Sequence, residues 1–398
     1  MLCRTLIEFH ICNEPPLSFV LYEMSGVFFI KFERSGNMEK IDEARRKINE
    51  IDKEMADLFC QRMEQARIVA EYKAERGLKV YDPVRENEVI DRNSKNVPAG
   101  IIREYYVSFL RNNMDISKKY QHRLMEGMNI AYSGVEGAFA DIAVKKIFPD
   151  AKQTPYSEFS KAYKAVENGE CDCCVLPIEN SYAGEVGQVI DLIFDGSLYV
   201  NNIYSLKITQ NLLGIKGSTK SDIKEVMSHP QALAQCENYI KENGYLMTNS
   251  VNTAVAAKTV KENGDKTVAA IASRETAEIY GLEVIDHDIN ESDVNATKFA
   301  VLSRMENPAF NSSKVILLFS VKQVAGSLAK AIDVIGKYGY NMKVLRSRPM
   351  KEPAWQYYFY IEAECNDNCD NESEMLEELS KQCERLKVVG HYKDVYSL

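Results

Sequence analysis

The chain has 398 residues, too many for one hydrophobic core, so two or three domains are expected. Apolar residues at 45% and charged residues at 27% are ordinary for a soluble globular protein. A formal charge of −9, with no basic stripe interleaved with aromatics, argues against a nucleic-acid surface. Anionic small molecules stay open as ligands, because local charge sets a site.

The ten cysteines show no disulfide or zinc framework. Cys171, Cys173 and Cys174 are the tightest group, and no second Cys or His pair lies near them at zinc-like spacing. They read as buried free thiols in a reducing cytoplasm, and no metal or other cofactor is expected.

Leu17 to Phe32 is apolar, but Glu23, Gly26 and Lys31 interrupt it, so no membrane span is expected. No small-residue cleavage site follows a basic start. Helical periodicity begins only after Met38, and residues 1–37 read as a non-native or disordered extension, with Met38 as the true start. From Ile41 to about Ala74, Ile41, Ile48, Ile51, Met55, Leu58, Phe59, Ile68 and Val69 mark one long amphipathic helix. Asp82-Pro83 is an N-cap followed by proline at the first helical position, opening a second helix. Pro98-Ala99-Gly100 ends it, and a third runs from about Ile101 to Met125. An all-α unit over 38–125 results.

From Asn129 short strands such as Asn129–Tyr132 and Cys173–Leu176 alternate with helices such as Ala140–Phe148 and Glu158–Glu167. This is an α/β pattern over 128–305. Asn307 to Ser313 reads as a polar linker. Residues 313–398 then read strand, helix, strand, strand, helix, strand, an α+β ferredoxin-like order.

In the helical segment, Arg45, Arg62 and Lys73 lie on the first helix, and Asp82, Arg85 and Glu86 open the second. Ser117 and Gln121, four apart, share a face of the third. By themselves these residues would be a solvated helix surface. Over about 39–123, however, the segment resembles the all-helical chorismate mutases. The resemblance rests on ArgArgLysIle at 45–48, Arg62, Lys73, ValTyrAspProValArgGlu at 80–86, and Ser117 with Gln121. It implies that Arg45 and Arg62 hold carboxylates, Arg85 adds positive charge, and Asp82 and Ser117 line the site. Lys73 and Gln121 would donate to the breaking ether oxygen, and Glu86 would accept from the ring hydroxyl. Spacing adds an independent point. Arg45 and Arg62 are 17 positions apart (62 minus 45), about 25 Å along one straight helix, so one small substrate cannot easily use both. Arg45 is therefore expected to serve a second site across a homodimer or larger homo-oligomer.

The α/β segment resembles prephenate dehydratase from about 129 to 304. Four stretches in order carry it: AlaTyrSerGlyValGluGlyAlaPhe at 131–139, ProIleGluAsnSer at 177–181, SerHisProGlnAlaLeuAlaGlnCys at 228–236 and AsnAlaThrLysPhe at 295–299. The resemblance implies two α/β lobes, periplasmic-binding-protein-like, with prephenate in the cleft. Thr297 would be the proton donor, with Glu179, Asn180, Ser181, Ser228, Gln235 and Lys298 binding substrate. His229 is read as structural because proline follows it. Two departures stand out. Lys298 replaces the family's usual Arg, and Ala138 stands where many bacterial members have Thr. The second leaves arogenate open as an alternative substrate.

The C-terminal segment resembles an ACT domain, on GlySerLeuAla at 326–329, ArgSerArgProMet at 346–350 and TrpGlnTyrTyrPheTyr at 355–360. The resemblance implies amino-acid regulation, with L-phenylalanine as effector and Gly326, Ser327, Leu328, Arg346, Ser347, Arg348 and Pro349 at the regulatory site. Arg346 reverses the charge of the Glu that commonly opens the second stretch. A non-catalytic alternative is an amino-acid sensor with a decayed dehydratase segment.

Overall fold

A computed structural model describes residues 5–8, 18–24, 27–32, 38–292, 294–306, 312–350, 356–365 and 371–398. They form two units, 1–121 and 122–398, each taken by itself below.

The first unit opens with strands where the sequence suggested no regular element. β1 (Thr5–Glu8), β2 (Ser18–Met24) and β3 (Val27–Phe32) form an antiparallel sheet in that order. Their Val, Ile, Phe and Tyr residues are strand formers, which outweigh the lack of a helical period. Three helices follow, as expected: α1 (Met38–Glu75), α2 (Pro83–Ser94) and α3 (Ile101–Glu126), the last running past the unit's border. α2 starts where the Asp82 carboxylate accepts from the Arg85 N–H at 3.0 Å, with Pro83 behind it. Ala66, Ala70, Val80, Leu110 and Met114 are buried, but the apolar stripe of the first half of α1 is not. Ile41, Ile48, Ile51, Met55, Leu58 and Phe59 are all exposed in the single chain.

The second unit alternates strand and helix as far as β14. In chain order come β4 (Asn129–Ser133), α4 (Phe139–Ile147), β5 (Lys152–Tyr156), α5 (Phe159–Glu167), β6 (Cys173–Asn180), β7 (Gly184–Glu185), α6 (Gly187–Asp195) and β8 (Tyr199–Lys207). Next are β9 (Asn211–Gly214), β10 (Glu225–Ser228), α7 (Pro230–Gln235), α8 (Glu237–Glu242), β11 (Leu246–Asn249), α9 (Thr253–Asn263), β12 (Val268–Ala272), α10 (Arg274–Tyr280) and β13 (Glu283–Asp286). The chain returns through β14 (Ala296–Ser303), then runs β15 (Lys314–Ser320), α11 (Ser327–Lys337), β16 (Tyr340–Pro349), β17 (Tyr357–Cys365), α12 (Glu372–Ser380), β18 (Arg385–Tyr392) and β19 (Val395–Ser397).

These strands make three sheets. The first lobe is a seven-stranded sheet ordered β19-β8-β14-β6-β4-β5, with β7 on β6. The second lobe is a five-stranded sheet, β11-β10-β12-β9-β13. β15 to β18 form the third, ordered β16-β17-β15-β18 with α11 and α12 between strands, which is the ferredoxin-like order. β19 then leaves that module and pairs in parallel with β8, so the chain's last strand belongs to the first lobe. The linker read at 307–313 lies, for residues 307–311, outside the described residues.

Burial follows the sheets. Cys173 packs with Ile130, Val175 and Phe299 on one face of the first lobe, and Cys174 with Leu176 and Ile190 on the other. Burial raises both thiols above their ordinary range, the Cys173 thiol to about 12. They are core residues, and among the described residues no His, Cys, Asp and Glu group could hold a metal. No described helix is long and apolar enough to cross a membrane.

The core between the first lobe and the ferredoxin-like module is continuous. Ile190, Ile193 and Phe194 of α6 pack with Tyr358, Tyr360, Val389 and Tyr392, and the Phe194 and Tyr358 rings stack 4.0 Å apart. Polar contacts reinforce this docking. Lys387 donates to the Ile193 and Gly196 carbonyls at 2.6 Å each, and Arg385 to the Phe194 carbonyl, satisfying the open C-terminus of α6.

Candidate active sites

In the helical unit, α1 and α3 bring together part of the expected set. The Arg62 guanidinium donates to the Ser117 hydroxyl and, at 3.3 Å, to the Asn113 carbonyl. Burial lowers the Arg62 pKa from its ordinary value without threatening its charge. Ser117 and Gln121 are buried one turn apart on α3, and the Gln121 side-chain oxygen lacks a partner. Lys73 donates to the Val80 carbonyl at 2.7 Å, which ties the end of α1 to the loop before α2. Glu86 pairs with Lys118 at 2.8 Å, a cation that sequence reasoning did not single out. Asp82 is occupied as the cap of α2, and Arg85 turns outward to Glu88 at 3.1 Å. Arg45 is exposed beside Asp42, away from Arg62 on the same unbroken helix.

In the second unit, β6 and β14 run antiparallel with Asn180 opposite Thr297 and Glu179 opposite Lys298. Adjacent strand residues face opposite sides, so this register sorts the four into two pairs. On one side Asn180 and Thr297 enter a cavity of about 170 Å³, whose other polar lining is Gln210, His229, Gln231, Gln235, Asn252 and Thr253. Ala138 and Phe139, at the start of α4, close it. Residues from both lobes line it, and α4 and α9 both begin there, so two helix N-termini turn positive dipole ends toward it.

The hydrogen bonds fix how Asn180 is turned. Its side-chain oxygen accepts from the Tyr182 and Ala183 N–H groups at 3.0 and 2.9 Å and from Gln231 Nε2 at 3.1 Å. Three donors identify that atom as oxygen, so the other is the amide nitrogen. That nitrogen donates to Thr297 Oγ1 at 3.0 Å, which leaves the threonine's own proton free to point elsewhere.

The remaining expected residues divide. Gln235 lines the cavity and accepts from Gln210 Nε2 at 3.4 Å. Ser228 is wholly buried and donates to the Ile271 carbonyl at 2.6 Å, so it braces the second sheet instead of lining the cavity. Ser181 ties β6 to the start of β14 through the Val294 carbonyl and the Ala296 N–H. Lys298 does not enter the cavity; its ammonium pairs with Glu179 at 2.7 Å on the opposite side of the sheet. Neither Lys298 nor Glu179, both expected to bind substrate, lines this cavity, in keeping with the two-residue alternation of the strands. His229 caps α7, its ring accepting from the Gln231 N–H at 3.3 Å, and also lines the cavity, where burial lowers its pKa. Gln210, Gln231, Asn252 and Thr253 were missed. Asn252 alone had a local signal, as a helix cap, which the structure has accepting from the Val255 N–H at 2.7 Å.

In the ferredoxin-like module, Gly326 caps α11 at φ +83°, with open space around it, and is followed by Ser327 and Leu328. Ser347 and Pro349 lie on β16, whose two arginines point at the first lobe. Arg348 pairs with Glu185 and with Asp191 at 3.0 Å, and Arg346 pairs with Glu179. Trp355 lies outside the described residues.

Comparison with known proteins gives the family of both segments. A family model described as chorismate mutase type II matches residues 44–122, and one described as prephenate dehydratase matches 130–307. A bifunctional chorismate mutase/prephenate dehydratase of Aquifex aeolicus is 30% identical, covering 89% of this chain and 98% of its own. Among solved structures, one described as GqqA, a novel type of quorum quenching acylase, is 31% identical, covers 67% of this chain and 97% of its own, and has a TM-score of 0.61. The prephenate dehydratase of Arthrobacter aurescens in complex with L-Phe is 26% identical, covers 67% and 90%, and has a TM-score of 0.62.

Proposed function

This chain belongs to the bifunctional chorismate mutase/prephenate dehydratase family, and on that ground we propose which of its residues run each reaction. It converts chorismate to prephenate and prephenate to phenylpyruvate, in phenylalanine biosynthesis.

The observation that carries the dehydratase assignment is the oriented Asn180 amide on Thr297 Oγ1. As the ring carboxylate leaves as carbon dioxide, its bonding pair enters the ring and expels the ring hydroxyl. Thr297 gives that hydroxyl its proton, so water departs and the ring becomes aromatic. The Asn180 N–H stabilises the alkoxide left on Thr297. Among the described residues no lysine or arginine lines the cavity, so the substrate carboxylates are held by Gln and Asn amides and by the N–H groups opening α4 and α9. Thr297→Val keeps shape and removes the proton. It should abolish phenylpyruvate formation and leave mutase turnover unchanged; retained dehydration would refute the assignment.

In the mutase, Arg62 grips a substrate carboxylate, steadied by Ser117, and Lys73 and Gln121 donate to the ether oxygen as it gains charge. Arg45 completes the site of a second copy. The exposed apolar stripe from Ile41 to Phe59 supports that reading, since pairing would cover it. A monodisperse monomer with full mutase activity would exclude the dimer.

The C-terminal module acts as an ACT domain that binds L-phenylalanine near Gly326, Ser327 and Leu328 and lowers dehydration. The ferredoxin-like order and the phenylalanine complex of the Arthrobacter protein support this. The enzyme works in the cytoplasm. Supplying chorismate, prephenate or arogenate, each with and without phenylalanine, tests the substrates and the regulation. Exclusive use of arogenate, or ligand binding without any turnover, would replace this reading.

A further inference from the structure

The register that puts Thr297 in the cavity puts Lys298 and Glu179 on the other side of the same two strands, against the ferredoxin-like module. There Glu179 is shared. Lys298, across the ladder, holds one carboxylate oxygen, and Arg346 of β16 holds the other. All three side chains are largely shielded from water. Burial alone would raise the Glu179 carboxyl, but Lys298 and then Arg346 keep it below the ordinary carboxylate range, so it stays charged.

Covalent neighbours complete the path. Glu179 precedes Asn180 and Lys298 follows Thr297, so the ion pair and the Asn180–Thr297 hydrogen bond are two faces of one ladder step. Just beyond it, the ladder shifts register between Lys298 and Phe299, placing Ile178 in a bulge. A bulge weakens local pairing, so side-chain contacts have more say over where Asn180 and Thr297 sit.

We propose that Arg346 is a positioning residue for dehydration: through Glu179 it fixes the β6–β14 step that holds Asn180 against the Thr297 hydroxyl. It touches neither substrate nor the reacting atoms. The C-terminal module is thereby part of the working dehydratase, and what displaces β16 displaces the proton donor.

This rests on Thr297 as the donor, and the test separates the two. Full-length Arg346→Gln, Arg346→Lys, Glu179→Gln and the double Arg346→Gln/Glu179→Gln are assayed on prephenate and on chorismate, beside Thr297→Val. The expected result is a dehydration kcat about tenfold or more lower for Arg346→Gln, with KM within about twofold, since misplacing a catalytic group acts on turnover. Arg346→Lys should recover most of that loss, and the double variant should be no slower than the worse single, because both act at one contact. Mutase turnover, the internal control, should not change. Wild-type dehydration kcat in Arg346→Gln, or losses that multiply in the double variant, would overturn the proposal. Activity retained by Thr297→Val would instead overturn the donor assignment.

Discussion

Gly390 gives the most quantitative handle on how the ferredoxin-like module is seated. It lies on β18 beside a bulge, at φ +155°, with its Cα against the backbone of β8. A Cβ there would lie on the Val200 carbonyl oxygen, with the Val200 carbonyl carbon at 2.9 Å and its nitrogen at 3.1 Å. Backbone cannot rotate away as a side chain can, so Gly390→Ala must push β18 and β8 apart by about 1 Å. A gap of that size forfeits roughly a quarter to a half of each van der Waals contact across it. Val389, Tyr392, Val200 and Ile203 all pack there. Overpacking and backbone strain together should remove about 2–4 kcal/mol. For a unit spanning 122–398 that is roughly 3–7 °C in Tm. Gly326→Ala is the control, since Gly326 also has positive φ but open space around it, and should cost only about 1 kcal/mol. Urea and thermal unfolding followed by circular dichroism give both numbers. A Gly390→Ala protein no less stable than Gly326→Ala would refute the close-approach argument.

Three further outcomes are expected. His391 sits between Glu372 at 2.7 Å and Glu306, and these partners raise its pKa from 6.5 to about 9 despite burial. A raised folded pKa stabilises fully below the unfolded value and is lost as pH climbs through the folded one. Wild type should therefore shed up to about 3 kcal/mol between pH 6.5 and 9 relative to His391→Gln, read as the difference between urea midpoints across pH; parallel curves would refute the pairing. Lys387 has its pKa lowered to about 8 by burial and acts in the opposite sense, so stability it withholds at pH 8 returns toward pH 10.5; Lys387→Met should flatten that rise. Gln231→Ala removes one of three donors to the Asn180 oxygen and should slow dehydration by about tenfold without changing mutase turnover, measured by phenylpyruvate absorbance.

Elements whose signals are local were legible in the sequence. The long apolar stripe of α1 and the Asp82-Pro83 start of α2 fix those helices within a few residues. The ferredoxin-like order was legible too, because each strand and helix is bounded by its own turn. The strand read at Cys173–Leu176 runs on to Asn180 in the structure. Proline cannot donate to a ladder, but β4 pairs with β6 only as far as Val175, and Pro177 lies beyond that stretch, opposite Phe299 of β14. The side of the sheet on which Lys298 lies follows from one further step. If Thr297 faces the cavity, strand alternation sends Lys298 the other way, and the family's habits at that position say nothing about which face it uses. Gln210 and Gln231 were beyond reach, since their roles exist only once the two lobes meet. In the sequence Arg346 stood out only as a reversal of the family's usual Glu, whereas its partner lies 167 positions earlier in the chain (346 minus 179), a pairing that no local pattern encodes.

The parallel strand β19 has a consequence for how the protein is made. β8 and β14 leave the ribosome well before Val395, and until β19 arrives β8 presents an unpaired edge. The first lobe therefore gains this edge strand only after the module that follows it has been synthesised. Nascent chains released before residue 395 expose a strand edge that invites pairing with other chains, so the order of synthesis leaves a window for aggregation that closes only with the arrival of that final strand.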